Sequence, residues 1–239
     1  MTRVLLEVVD FHVYIGPFYI VQGVSFNLEY GECLALIGRN GAGKTTLIKG
    51  ILGLTGPTKG EVLFEEKNII SMKPYERANL GIGYVPDTRR IFPNLTVEEN
   101  LILASLRDRD RTQDRLEHVY SLFPDLKKLK KLKAGALSGG QQQMLNIARA
   151  LMQKNKLILV DEPTEGLSPV YVNKINEALK ELIASGVSIL LVEGRPTLLR
   201  NLASKYAIMS SGKIVDNGEI RNLFTHPELI KKYLGVELR

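Results

Sequence analysis

Gly38-Arg39-Asn40-Gly41-Ala42-Gly43-Lys44-Thr45 is the stretch from which the rest of the chain can be read, two glycines separated by four residues and followed by Lys-Thr. That spacing is the pattern of a loop that wraps phosphate. The run Glu32 to Ile37 before it is apolar and strand-like, and Thr46, Leu47, Ile48, Ile51 and Leu52 after it form an amphipathic pattern. The loop therefore opens a helix, where unpaired backbone N–H groups and the positive end of the helix dipole meet an anion. Glycines let the backbone close on the phosphates where a Cβ would obstruct it. The pattern predicts Lys44 at the β- and γ-phosphates and the Thr45 hydroxyl on magnesium. Gly38, Arg39, Asn40, Gly41, Ala42, Gly43 and Thr46 complete the cradle.

A second constellation lies far downstream. Leu157-Ile158-Leu159-Val160 reads as a buried parallel strand and ends in two adjacent carboxylates, Asp161 and Glu162. Paired with a phosphate loop, these place Asp161 at magnesium and Glu162 on the attacking water; by themselves they could equally cap the turn at Pro163. A third element, Ser138-Gly139-Gly140-Gln141, precedes a helical pattern running to about Met152. Ser138 suits a helix cap, and the two glycines permit close approach to a phosphate.

The bulk properties restrict what surrounds these elements. With 239 residues and 44% hydrophobic content, a single α/β domain is expected, and no stretch is apolar enough to span a bilayer. Leu5 to Val9 is strand-like and lacks a signal-peptide pattern, so the chain is expected in the cytoplasm. Cys33 lies inside an apolar run, as a buried structural thiol would. The net charge of +6 is densest at Lys127, Lys128, Lys130, Lys131 and Lys133, interleaved with Leu126, Leu129 and Leu132. Leucines three apart predict a packed helical stripe with a solvated lysine face, with attraction to anionic lipid as the alternative. No aromatic-interleaved basic patch accompanies the charge, so nucleic acid is not an expected partner. Strands are predicted at Val4 to Val9, Glu32 to Ile37, Glu61 to Phe64, Leu157 to Val160, Ser188 to Val192 and Tyr206 to Met209. From about Val97 to Lys133 a polar helical stretch begins at a Thr96/Glu99 capping box.

The phosphate loop, Ser138-Gly139-Gly140-Gln141 and Asp161-Glu162, in this order, resemble the ATPase subunits of ABC transporters. The resemblance covers nearly the whole chain. It implies an α/β ABC-type nucleotide-binding domain: a RecA-like P-loop core at 1–86 and 137–239, an N-terminal antiparallel β-region, and an inserted helical subdomain at 87–136. It further implies ATP and Mg2+ as ligands, and a head-to-tail dimer in which Ser138, Gly139, Gly140 and Gln141 face the nucleotide of a second ATPase subunit, identical or different. Gly81 to Pro86, Arg89 to Pro93, Leu95 to Leu101 and the ending Lys232-Tyr233-Leu234-Gly235 are similar to the branched-chain amino-acid importer subgroup. By that resemblance the chain sits on the inner face of the membrane, drives separate permease subunits, and serves an extracytoplasmic solute-binding protein indirectly. The alternative is a soluble or degenerate ABC ATPase acting as a nucleotide-dependent switch outside transport.

Four positions depart from the family pattern. Asp87 stands where Gln or Glu is usual, either approaching magnesium through water or serving as a turn residue beside Pro86. Gly194 stands where a switch His or Gln is usual. Ile15 replaces the adenine-stacking aromatic, leaving Tyr14 or Phe18 as substitutes. Ser168 replaces an Asp.

Overall fold

A computed structural model describes residues 3–106 and 109–234; Gly235, part of the subgroup-like ending, lies outside them. Two sheets carry the fold. The first has the order β2-β1-β4-β5, formed by β1 (Val4–Ile15), β2 (Phe18–Glu29), β4 (Thr58–Phe64) and β5 (Lys67–Asn68), and its described pairings are all antiparallel. The second has the order β10-β9-β3-β8-β7-β6. Its strands are β3 (Cys33–Ile37), β6 (Ile82–Val85), β7 (Leu157–Asp161), β8 (Ser188–Val192), β9 (Lys205–Ser210) and β10 (Lys213–Glu219), parallel except for the antiparallel β9–β10 edge. β3, β7 and β8 are buried at every residue, as expected of central parallel strands covered on both faces.

Helices α1 (Lys44–Ile51) and α2 (Pro74–Asn79) precede β6. Between β6 and β7 the chain forms α3 (Val97–Ala104), α4 (Thr112–Leu122), α5 (Pro124–Lys128) and α6 (Gly139–Leu151). The remainder are α7 (Pro169–Ala184), α8 (Pro196–Leu202), α9 (Ile220–Thr225) and α10 (Pro227–Leu234). α3 starts at the expected capping box: Glu99 N–H donates to Thr96 Oγ1 at 3.2 Å, and Thr96 N–H donates to Glu99 Oε2 at 2.7 Å. Leu116, Val119, Phe123 and Leu126 of the inserted helices share one continuous apolar cluster with Met144 and Ile147 of α6 and with Ile158 and Val160 of β7. The inserted helices therefore pack onto the core through α6.

The lysine run departs from the single helical stripe expected of it. α5 stops at Lys128, and of the three leucines only Leu126 is fully buried, while Leu132 is exposed. The chain turns back because its backbone pairs elsewhere: Val97 N–H donates to the Leu132 carbonyl at 3.0 Å and Ala134 N–H to that of Leu95 at 2.8 Å. Cys33 is buried, and burial pushes its thiol up to about 12.

Arg77 of α2 is 2% exposed and has no carboxylate beside it among the described residues. Its guanidinium donates to the carbonyls of Gly50 (3.1 Å), Ile51 (2.6 Å), Ile70 (2.7 Å) and Met72 (2.9 Å). Gly50 and Ile51 end α1, so this cation meets the negative end of that helix.

Candidate functional site

The phosphate loop joins β3 to α1, and α1 begins at Lys44 with Gly43 as its N-cap. At Gly38 a Cβ would stand 2.2 Å from the Met209 carbonyl oxygen of β9, so only glycine lets the loop pass this close to the neighbouring strand. Lys44 is 5% exposed; its Nζ donates to the Gly38 carbonyl at 2.9 Å and the Arg39 carbonyl at 3.3 Å, and lies 3.4 Å from Glu162 Oε1. Thr45 Oγ1 donates to Asp161 Oδ1 at 3.2 Å. A cavity of about 380 Å3 opens over this cluster, lined by Asn40, Gly41, Gly43, Lys44, Thr45, Thr46, Glu162 and Ile20 of β2. Loop residues 40–46 and the end of β7, more than a hundred positions apart, thus converge as the motifs predict.

Asp161 is fully buried, and its Oδ2 has no hydrogen-bond partner among the described residues. Burial pushes its carboxyl up to about 6; the neighbouring carboxylates of Asp87 and Glu162 add to the shift, and the Thr45 hydrogen bond opposes it. Among the described residues no group of three or more His, Cys, Asp or Glu side chains is arranged to hold a metal. An ion taken here by Thr45 and Asp161 would therefore complete its shell with substrate oxygens and water, the coordination magnesium favours. The unpartnered Oδ2 fits that role. Glu162 has a backbone φ of 45°, and its N–H donates to the Val192 carbonyl of β8 at 2.9 Å. Non-glycine residues in this left-handed region are costly and concentrate at functional sites.

At the end of β8 the neighbouring carboxylate is consumed internally. Glu193 is 5% exposed and accepts from Thr164 Oγ1 at 2.6 Å, Gly194 N–H at 2.9 Å and Arg195 N–H at 3.1 Å. Burial raises its pKa, and these hydrogen bonds oppose the rise. The segment after Glu162 and the loop around Gly194 are thereby tied through one side chain, a link between residues 29 positions apart that sequence reading missed. A strand-terminal Glu directly before the switch position was the available signal. Gly194 leaves open space, since a Cβ there would meet nothing within 4 Å.

The remaining expected residues do not line this cavity. Asp87 Oδ1 accepts from Thr88 N–H at 2.7 Å, a turn contact, while remaining close enough to raise the pKa of Asp161. Tyr14 stacks on Tyr19, with ring centroids 4.7 Å apart and planes at 9°. The register pairs Tyr14 with Tyr19 and Ile15 with Phe18, so Tyr14 and Phe18 occupy opposite sheet faces. Ser138, Gly139, Gly140 and Gln141 do not line the cavity. Ser138 caps α6, its Oγ accepting from Gln141 N–H at 3.4 Å and its N–H donating to Gln141 Oε1 at 2.9 Å. A Cβ on Gly140 would stand 2.3 Å from the Tyr171 ring.

A strand-loop-helix phosphate cradle with Lys44 and Thr45 lining one cavity and Asp161 hydrogen-bonded to Thr45 behind it defines the class, a P-loop nucleoside triphosphatase. Residues 21–165 match the family model for ABC transporters. The chain is 38% identical to the high-affinity branched-chain amino acid transport ATP-binding protein BraG of Pseudomonas aeruginosa, over 93% of this chain and 96% of that one. A nucleotide-free ATP-binding cassette from an ABC transporter superposes with a TM-score of 0.83 at 29% identity, covering 98% of this chain and 100% of the other. A dimeric post-hydrolysis cassette bound to ADP and Pi superposes with a TM-score of 0.81 at 26% identity, covering 91% and 99%. The chain belongs to the ABC transporter family, as an ATP-binding subunit that hydrolyses ATP. No described helix is long and apolar enough to cross a membrane.

Proposed function

We propose that this chain powers uptake of branched-chain or related amino acids and amides, working on the inner face of the membrane beneath separate permease subunits. The observation that carries the reading is the convergence of Lys44, Thr45 and Glu162 on one cavity, with Asp161 buried behind it on the Thr45 hydroxyl, in a chain with a BraG-like sequence along 93% of its length. Lys44 exchanges its loop carbonyls and Glu162 for the β- and γ-phosphate oxygens. Thr45 and Asp161 hold magnesium, which when bound neutralises charge on the phosphates. Glu162, released from Lys44, orients the attacking water and accepts its proton. Tyr14 or Phe18, on opposite faces of the first sheet, meets the adenine. Ser138, Gly139, Gly140 and Gln141 complete the site of a second ATPase subunit in a head-to-tail dimer, as the dimeric cassette among the relatives supports. The helical insertion at 87–136 moves against the core as ATP closes that dimer, and the surface from Asp87 to Phe92 passes the motion to the permease.

The test is uptake of labelled leucine by cells in which this chain is the sole copy, wild type or Glu162→Gln. Loss of ATP-dependent leucine uptake in the variant supports the reading. Unchanged uptake, with hydrolysis by the purified variant abolished, would show that the chain drives something else.

A further inference from the structure

The turn that carries Glu162 is fastened at both ends to the end of β8. Glu162 N–H donates to the Val192 carbonyl at 2.9 Å. Two residues on, Thr164 Oγ1 donates to Glu193 Oε2 at 2.6 Å. Two consecutive residues, Val192 and Glu193, thus hold both ends of Glu162-Pro163-Thr164, whose middle residue has a ring-fixed φ and no N–H. Between these rungs Glu162 takes its left-handed backbone conformation, one that persists only where the surroundings over-determine it. Glu193 is itself fixed through its other oxygen, because Oε1 accepts from both Gly194 N–H and Arg195 N–H. Thr164 and Glu193 are buried. The cavity beside them has a volume of about 10 Å3, and Ile175, Leu179, Leu191, Leu198 and Leu202 form most of its wall. In so apolar a setting a hydrogen bond is strong, and removing one partner leaves the other unsatisfied.

We propose that Thr164 and Glu193 are positioning residues for ATP hydrolysis: their hydrogen bond holds the backbone at Glu162 so that its carboxylate, once released from Lys44, is aimed at the attacking water. The proposal rests on the reading of Glu162 as the acceptor of that water's proton, and it adds what aims it. Neither Thr164 nor Glu193 lines the nucleotide cavity, so both act through Glu162. Packing alone does not account for a buried carboxylate here, since an apolar side chain would fill the same wall without the cost of taking a charge out of water. What the carboxylate supplies is a link between the loop after β7 and the loop after β8. Gly194, with no side chain, cannot make that link.

The test is the ATP dependence of phosphate release by the purified full chain. Thr164→Val, which keeps the shape and removes the donor, should lower kcat by roughly ten- to a hundredfold, the scale of a reacting group displaced by a fraction of an ångström to one ångström, with KM within about twofold of wild type. Thr164→Ser, which retains the hydroxyl, should stay within about threefold in kcat. The deciding variant is Glu162→Gln combined with Thr164→Val. With no carboxylate left to aim, the second substitution should change the residual rate by less than about twofold and leave ATP binding as in Glu162→Gln alone. Fluorescent-nucleotide binding reports folding, and Thr164→Ala replaces Thr164→Val if the latter does not bind. A wild-type kcat in Thr164→Val, an equal loss in Thr164→Ser, or the same fold-loss with and without the Glu162 carboxylate would overturn the proposal and leave the pair a structural tie. Failure of the underlying reading is seen separately: wild-type turnover in Glu162→Gln alone would overturn both.

Discussion

At the phosphate loop the chain supplies its own counter-groups, with Lys44 against two carbonyls and Glu162, and Thr45 against Asp161. At the start of α6 it does the reverse. Ser138 caps the helix, yet the first turn contains no acidic residue, and the Arg89 guanidinium packs against Gly139 so closely that a Cβ there would stand 2.7 Å from Nη1. First-turn N–H groups have no acceptor within their helix, so this end presents positive potential outward. One half of the machinery is assembled within a single chain, and the other is complementary to something the chain does not contain.

The largest effects should come from the assembled half. Lys44→Ala is expected to abolish tight ATP binding. Glu162→Gln should retain it while hydrolysis falls by roughly 10²–10⁴-fold, the scale of a lost general base. Fluorescent-nucleotide binding and steady-state phosphate release separate the two, and wild-type turnover in Glu162→Gln would remove that residue from catalysis.

Next in size is the bare switch position. If the missing γ-phosphate contact limits the homodimer, Gly194→His should raise its hydrolysis by roughly tens to a thousandfold, the value of one transition-state donor. The open space around a Cβ at Gly194 admits the side chain. Robust wild-type turnover that the substitution leaves unchanged would mean that another group makes the contact.

Asp161 sharpens the comparison through pH. Its carboxyl is raised from 3.8 to about 6 by burial, so keeping it ionised costs the nucleotide-free fold about 3 kcal/mol. The stability of the protonated form is fully present below pH 4 and is lost as pH rises through 6. Asp161→Asn should therefore raise the melting temperature at pH 8 by several degrees, have almost no effect near pH 4, and eliminate magnesium-dependent hydrolysis. An equal effect at both pH values would show that ionisation is not the cause.

The smallest effect is expected far from both halves. Lys127 and Lys130 are exposed, lying 3.4 Å from Glu117 and 3.7 Å from Glu98. Reversing Lys127, Lys128 and Lys130 to Glu should leave ATP affinity within about twofold at physiological salt, because exposed charges beyond the Debye length are screened. A tenfold loss in an ATP titration would place this surface near the nucleotide.

Features legible from sequence were contiguous ones. Residues 38–46 and Leu157 to Glu162 each hold their chemistry in one short run between recognisable elements, so reading them required no tertiary knowledge. Several strands gave weaker signals. β10 buries no residue fully and lacks an apolar alternation, β6 is four residues long, and β2 is interrupted by Gly23. Relationships across the fold were illegible for a different reason. The hydrogen bond between Thr164 and Glu193, and the sheet face on which Tyr14 lies, depend on strand order and on a register shift between Val13 and Tyr14, neither of which leaves a local pattern.

Arg77 has a mechanical consequence. Its guanidinium anchors the last carbonyls of α1 to Ile70 and Met72, so the helix that begins at Lys44 is clamped at its far end. One side chain thus joins the far end of the phosphate-loop helix to the segment at 70–77, which runs on through residues 78–81 into β6 and Asp87.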